Sequence, residues 1–181
     1  MTEYGSYRGN WMQTYTGHRF YPLDPRAKEV HPQDIAHALS LICRFGGHVE
    51  RFYSVAEHCV KMSQAVPPED ALAALLHDAT EAYVGDMVRP LKHQMPAYRA
   101  VEDNVAWAIA ERFGISPVMP ASVKEADNRI LVNERATFMR QTKEVWLTDE
   151  LEPLPIVLFG WSPASAERCY LERLRELSVL A

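Results

Sequence analysis

Ser54-Val-Ala-Glu-His-Cys-Val-Lys-Met-Ser-Gln-Ala-Val66, followed by Pro67-Pro68, is the stretch whose reading decides the fold class. Ser54 and Glu57 stand three apart as a capping box, so a helix opens here, and the proline pair closes it near Val66. Val55, Cys59, Met62 and Val66 fall at spacings of four, three and four, which is one face of an α-helix, with His58 flanking the stripe. The same period recurs in both directions along the chain. Upstream, Pro32 to Cys43 carries Ile35, Leu39 and Ile42. Downstream, a helix is predicted from Pro68 or Glu69 through Leu76 to about Tyr83, stopping before Gly85. Pro96 to Phe113 places Val101, Val105, Ala108, Ile109 and Phe113 on one stripe, ahead of Gly114 at a C-cap position. Ser122-Val-Lys-Glu125 reads as a second capping box, opening a helix to about Arg140. Ser162-Pro163 starts a last helix bearing Cys169, Leu171, Leu174 and Leu177, after an irregular connection over 146–161. The first thirty residues are rich in Tyr, Gly and Pro. Thr16-Gly17 between Trp11–Tyr15 and His18–Tyr21 predicts a short hairpin or an irregular arm. The expected fold class is all-α with a small N-terminal β element.

The length of 181 residues suits a single domain over the whole chain, and 48% hydrophobic with 24% charged residues is globular composition. The 24 acidic against 19 basic residues disfavour binding to a nucleic acid polymer and leave room only for a local basic pocket. Apolar runs such as Ala71 to Leu76 and Ile156 to Phe159 are too short to span a bilayer. Met1-Thr-Glu-Tyr4 offers neither a basic nor an apolar leader region, so a soluble, cytoplasmic chain is expected. Cys43, Cys59 and Cys169 form no CxxC pair, are odd in number, and read as small buried hydrophobes.

The informative residues break the amphipathic pattern. Asp127 sits inside the stripe Val123, Ala126, Ile130, Leu131, where a carboxylate is costly unless paired or bound to a metal. The run Leu72, Leu75, Leu76 leads straight into His77-Asp78. With His58, three helices each deliver a polar ligand type to an apolar face. Two imidazoles and two carboxylates suit a divalent first-row cation and leave positions for water. Adjacent residues on a helix point about 100° apart, so His77 and Asp78 would meet one ion only from the rim of their helix face. Glu81 follows His77 by four and Asp78 by three, on the same face, placed to act as general acid or base. Asp86, Arg89 and Lys92 lie just past that helix in a short loop suited to phosphate contacts, and Arg44, Arg51 and Lys61 are further cation candidates.

The order His58, His77-Asp78, Asp127 resembles the H…HD…D signature of the HD-domain metal-dependent phosphohydrolases. Asp34-Ile-Ala-His-Ala-Leu-Ser-Leu41, Arg44-Phe-Gly-Gly-His48, Phe52-Tyr-Ser-Val-Ala-Glu-His58, His77-Asp-Ala-Thr-Glu-Ala-Tyr-Val-Gly-Asp86 and Arg89-Pro-Leu-Lys92 are similar to the small bacterial and phage members, over about residues 10–140. These include 5′-deoxynucleotidases and phage dATP triphosphohydrolases. The resemblance implies a compact helical HD domain with His58, His77, Asp78 and Asp127 as ligands of a divalent ion; Mn, Co, Zn, Mg, Fe and Ni are not distinguished. It implies that Glu81 and Asp86 handle the catalytic water and leaving group, and that Arg44 and the following aromatic lie near the substrate. That aromatic is Phe45, where the deoxynucleotidases carry tryptophan. Phosphate contacts are expected from Arg44, Lys61, Arg89 and Lys92. Four candidate cations favour a deoxynucleoside triphosphate, with dATP preferred, hydrolysed to deoxynucleoside and triphosphate. The alternatives are a 5′-deoxynucleotidase, a non-catalytic nucleotide-binding HD module, and a helical interaction protein with structural histidines. Homo-oligomers are common among such enzymes, so one is expected here.

Overall fold

The computed structural model describes residues 8–179; the reading of Met1 to Tyr4 as free of a secretory leader lies outside them. The chain is all-α behind a two-strand N-terminal hairpin. Strands β1 (Met12–Gln13) and β2 (Arg19–Phe20) pair antiparallel, with Met12 opposite Phe20. Gly17 at φ 85° supplies the left-handed turn between them. The arm packs on the core. Phe20 is fully buried and stacks on Tyr83 at 3.9 Å, and the Thr16 backbone N–H and hydroxyl both donate to Asp34, at 2.7 and 2.9 Å.

The helices follow as α1 (Pro32–Leu41), α2 (Val55–Ser63), α3 (Ala71–Leu76), α4 (Glu81–Val84), α5 (Arg89–Lys92), α6 (Pro96–Phe113), α7 (Ala121–Phe138) and α8 (Pro163–Val179). Ser54 caps α2 by accepting from the Glu57 N–H at 3.1 Å, and Gly114 ends α6 in the left-handed region at φ 68°. Ser162 caps α8 by accepting from the Ser165 N–H at 3.3 Å, with Pro163 in the first turn. No helix among the described residues is long and apolar enough to cross a membrane.

Helix α2 is the axis of the molecule. It packs against α1, α3, α7 and α8, and all nine of its residues are buried, so the one-sided stripe expected for it is replaced by burial all round. One apolar cluster on it holds Ile35, Leu39, Leu75, Tyr170 and Leu174; another holds Tyr53, Met62, Ile130, Phe138 and Leu158. Its charged residues are satisfied internally. Glu57 does not complete the capping box; its carboxylate accepts from the backbone N–H groups of Phe159, Gly160 and Trp161 at 2.7, 3.2 and 2.5 Å. This pins the irregular 139–162 connection to α2.

Three local expectations are corrected. The helix expected from Pro68 to Tyr83 stops at Leu76 and resumes at Glu81. Residues between are wound more tightly, with Ala79 N–H to Leu76 O at 3.0 Å and Glu81 N–H to Asp78 O at 3.0 Å. Residues 89–92 form the helical turn α5 rather than a loop. Ser122 is no cap: α7 begins at Ala121, and the Ser122 hydroxyl donates to the Asp70 carboxylate, tying α7 to the start of α3.

Candidate metal centre

His58 projects from the centre of α2, His77-Asp78 from the tight turn between α3 and α4, and Asp127 from the second turn of α7. Their ligand atoms converge. His58 Nε2 and His77 Nε2 are 3.2 Å apart, and Asp78 Oδ2 lies 3.2 Å from His77 Nε2 and 3.7 Å from His58 Nε2. Asp127 Oδ1 is 3.5 Å from His58 Nε2 and 4.0 Å from His77 Nε2. The tight winding past Leu76 brings His77 and Asp78 to one point, where a continuous helix would have splayed them.

The tautomers say what the cluster wants. His77 Nδ1 lies 2.8 Å from the Ala74 carbonyl, which only accepts, so Nδ1 carries the hydrogen. His58 Nδ1 lies 2.6 Å from Glu134 Oε1. Burial alone would raise Glu134, but the charges of Arg44 and His58 overcome it and hold this carboxyl below the ordinary glutamate range, so it too accepts. With both Nδ1 hydrogens so engaged, the Nε2 atoms of the two rings face each other and two carboxylate oxygens, and in the deprotonated rings they are lone pairs. Four acceptors facing one another require a positive charge between them. Donors sharing a first-row cation at about 2.1 Å stand about 3.0–3.4 Å apart, so these separations fit one divalent ion after small closure. His58, His77 and Asp127 form one group that could hold it, and Asp78 belongs to a second group, with Cys59 and His77, that shares the His77 ring. A proton is the competitor: against the effect of burial, Asp78 and then Cys59 lift His77 well above the usual imidazole range. Cys59 itself touches the opposite edge of that ring, 3.9 Å from Nδ1, and burial pushes its thiol up, so it remains a packed hydrophobe.

The carboxylates are tuned to stay charged. Burial works against both. With a proton rather than a metal ion between the rings, His77, then His58 and Arg44, hold Asp78 far below the usual range, and a hydrogen bond from His58 with the charge of His77 keeps Asp127 down to about 2. They remain 19% and 22% exposed because they floor a cavity of about 910 Å³, within the range of small-molecule sites. Glu81 and Asp86 line the same cavity. Glu81 is buried, its Oε2 has no hydrogen-bond partner among the described residues, and burial followed by Asp78 and Asp86 pushes it well above the glutamate range. Burial also raises Asp86, with Arg44 opposing.

Of the expected phosphate contacts, Arg44, Arg89 and Lys92 line the cavity and Lys61 does not. Arg44 donates to Asp78 at 3.3 Å and Glu134 at 3.1 Å, Arg89 to Asp127 at 3.1 Å, and Lys92 to Glu102 at 2.6 Å. Lys61 lies elsewhere, its Nζ 4.5 and 5.0 Å from the Phe159 and Trp161 ring centres, where burial lowers its pKa. Arg51 likewise stacks on Phe138, away from the cavity. Phe45 lines the mouth from a left-handed backbone at φ 57°, ψ 28°, a conformation that costs a non-glycine residue about 1–2 kcal/mol.

No family model matches the chain. It is 39% identical over 175 residues to "Uncharacterized protein YfdR" of Escherichia coli (strain K12), across 94% of this chain and 97% of that protein. The chain belongs to the YfdR family. "Uncharacterized protein RCAP_rcc00048" of Rhodobacter capsulatus is 35% identical over 126 residues, 64% of each chain. In this YfdR-family chain the residue that sequence reasoning missed is Glu134, fully buried, bridging His58 to Arg44. It lies seven residues after Asp127, two turns along the same face of α7, and that spacing was the available signal.

Proposed function

We propose that the chain is a divalent-metal-dependent phosphohydrolase of the HD-domain type, acting on deoxynucleotides. The observation that carries the reading is the convergence of two imidazole Nε2 atoms and two carboxylate oxygens beside a 910 Å³ cavity that also holds Glu81, whose buried Oε2 has no hydrogen-bond partner among the described residues. When bound, a divalent cation supplies Lewis acidity toward a phosphoryl oxygen and lowers the pKa of water. The protein's own groups do the rest. Glu81, whose burial favours the protonated form, gives its proton to the leaving oxygen, and the more open Asp86 takes one from the attacking water. Arg44 holds Asp78 in place and turns its remaining N–H groups to the phosphate. Arg89 and Lys92 leave their carboxylate partners to neutralise charge that grows in the transition state.

The lead substrate is a deoxynucleoside triphosphate, dATP first, cleaved to deoxynucleoside and triphosphate. A second reading, a 5′-deoxynucleotidase, is favoured by one observation. Lys61 is absent from the cavity lining, and each of the three cations that remain already has a carboxylate partner, which suits a substrate with less charge. The test offers dATP, dGTP, dCTP, dTTP, ATP and dAMP separately with Mn²⁺, Co²⁺ or Mg²⁺, and resolves products by ion exchange. Intact triphosphate with deoxynucleoside supports the first reading, turnover of dAMP alone the second. No turnover of any with metal bound contradicts both.

A further inference from the structure

Between α7 and α8 the chain carries Trp146 to the mouth of the cavity, beside Phe45. The two ring centres are 6.1 Å apart with the planes tilted by 54°. Neither ring is there by accident of a loose loop. Phe45 is held by its left-handed backbone directly after Arg44, whose guanidinium is bonded to the ligand Asp78. Trp146 is fixed from α7: the Arg135 guanidinium covers its indole at 4.9 Å, pairs with Asp149, and donates to the Glu144 carbonyl at 2.5 Å. Asp149 in turn accepts from the Trp146 backbone N–H at 2.7 Å. Val145 and Leu147 on either side are exposed, although they are apolar and line the same cavity. The mouth therefore presents two aromatic faces and an apolar rim next to a charged floor, which is the polarity of a molecule with a flat heterocycle at one end and a phosphate at the other.

We propose that Trp146, with Phe45, grips the base of the nucleotide whose phosphate sits at the metal centre, and that Trp146 is a specificity-determining residue. The proposal rests on the phosphohydrolase reading. A ring sandwiched between the two side chains needs about 7 Å, twice a carbon–carbon contact distance, so the pair must open by about 1 Å and swing toward parallel. Stacking tolerates any base, so this pair selects for a planar heterocycle rather than for one base over another.

The experiment compares wild type, Trp146→Ala and Trp146→Phe on dAMP, dATP and the base-less ester 2-deoxyribose 5-phosphate. The expected result for Trp146→Ala is a nucleotide KM raised about tenfold, with kcat and the KM for the base-less ester unchanged. Trp146→Phe recovers most of the loss. An unchanged nucleotide KM, or an equal rise for the base-less ester, overturns the proposal and leaves the apolar wall of Ile109, Ile115 and Met119 as the place for the base. Calorimetric titration of dAMP into the same three proteins reads the grip without turnover. If wild type binds dAMP but hydrolyses nothing, a tenfold weaker Kd in Trp146→Ala sustains the grip while the hydrolase reading falls. If wild type binds no nucleotide, both fall.

Discussion

Replacing Glu134 by glutamine tests whether the charge behind His58 sets its tautomer and, through it, the metal site. Glu134 is fully buried and accepts from His58 Nδ1 at 2.6 Å and from Arg44 Nη2 at 3.1 Å. Glutamine offers one acceptor and one NH₂, so one of those two donors must face a donor. The shorter bond is the one at stake. Losing a charge-assisted hydrogen bond costs about 2 kcal/mol. If His58 escapes the clash by moving its hydrogen to Nε2, it stops being a ligand, and the cost falls on metal binding; about 2 kcal/mol is about 30-fold in Kd, inside the 10- to 100-fold usual for such outer partners. Glu134→Ala is the harsher change: Arg44 keeps one carboxylate in a buried setting, and stability should drop by about 3–5 kcal/mol. The assay is calorimetric titration of Mn²⁺ or Co²⁺ into wild type and Glu134→Gln, with circular dichroism to show that both are folded. A Glu134→Gln protein that is folded and binds the ion with wild-type Kd refutes the reasoning.

Three other outcomes follow from single contacts. Glu57→Ala strands three backbone N–H groups of 159–161 and should cost about 3 kcal/mol in urea unfolding, with Glu57→Gln milder; an effect below about 1 kcal/mol would contradict the pinning role. Gly160→Ala forces a Cβ to 3.0 Å from the Phe52 carbonyl and 3.1 Å from Phe138 at φ 70°, so about 1–3 kcal/mol should be lost in the same assay. Because Asp78 raises His77 against burial, a proton competes with the metal. Metal affinity should therefore fall about tenfold per pH unit as pH drops below the raised His77 pKa, with about one proton released per ion bound; a Kd flat across that range would contradict it. The metal-free protein has the opposite sign, since what charged His77 adds to stability is complete below the unfolded imidazole pKa and is lost as pH rises through the folded one.

The clustering of His58, His77, Asp78 and Asp127 was legible because each broke or bordered an apolar stripe, and Asp127 most plainly, with Val123, Ala126 and Ile130 buried around it. The hairpin, the C-cap at Gly114 and the start of α8 were legible from glycine, proline and serine placement. What escaped was tertiary. A stripe on α2 implied an open back, whereas Glu57 and Lys61 on that back meet the 159–161 backbone and rings, so residues that look solvated are buried. The break after Leu76 has no glycine or proline to announce it, and His77 bonding back to Ala74 is seen only in three dimensions. Trp146 lies in a segment with no periodicity, held through Arg135 from another element.

Metal content tests the central claim most directly. Wild type, His58→Ala and Asp127→Asn are saturated with Co²⁺ or Mn²⁺, desalted, and analysed by elemental mass spectrometry, with circular dichroism to confirm folding. The account predicts one ion per wild-type chain and none retained by either folded variant. A wild-type protein that keeps no ion, or an Asp127→Asn protein that keeps as much, would contradict it.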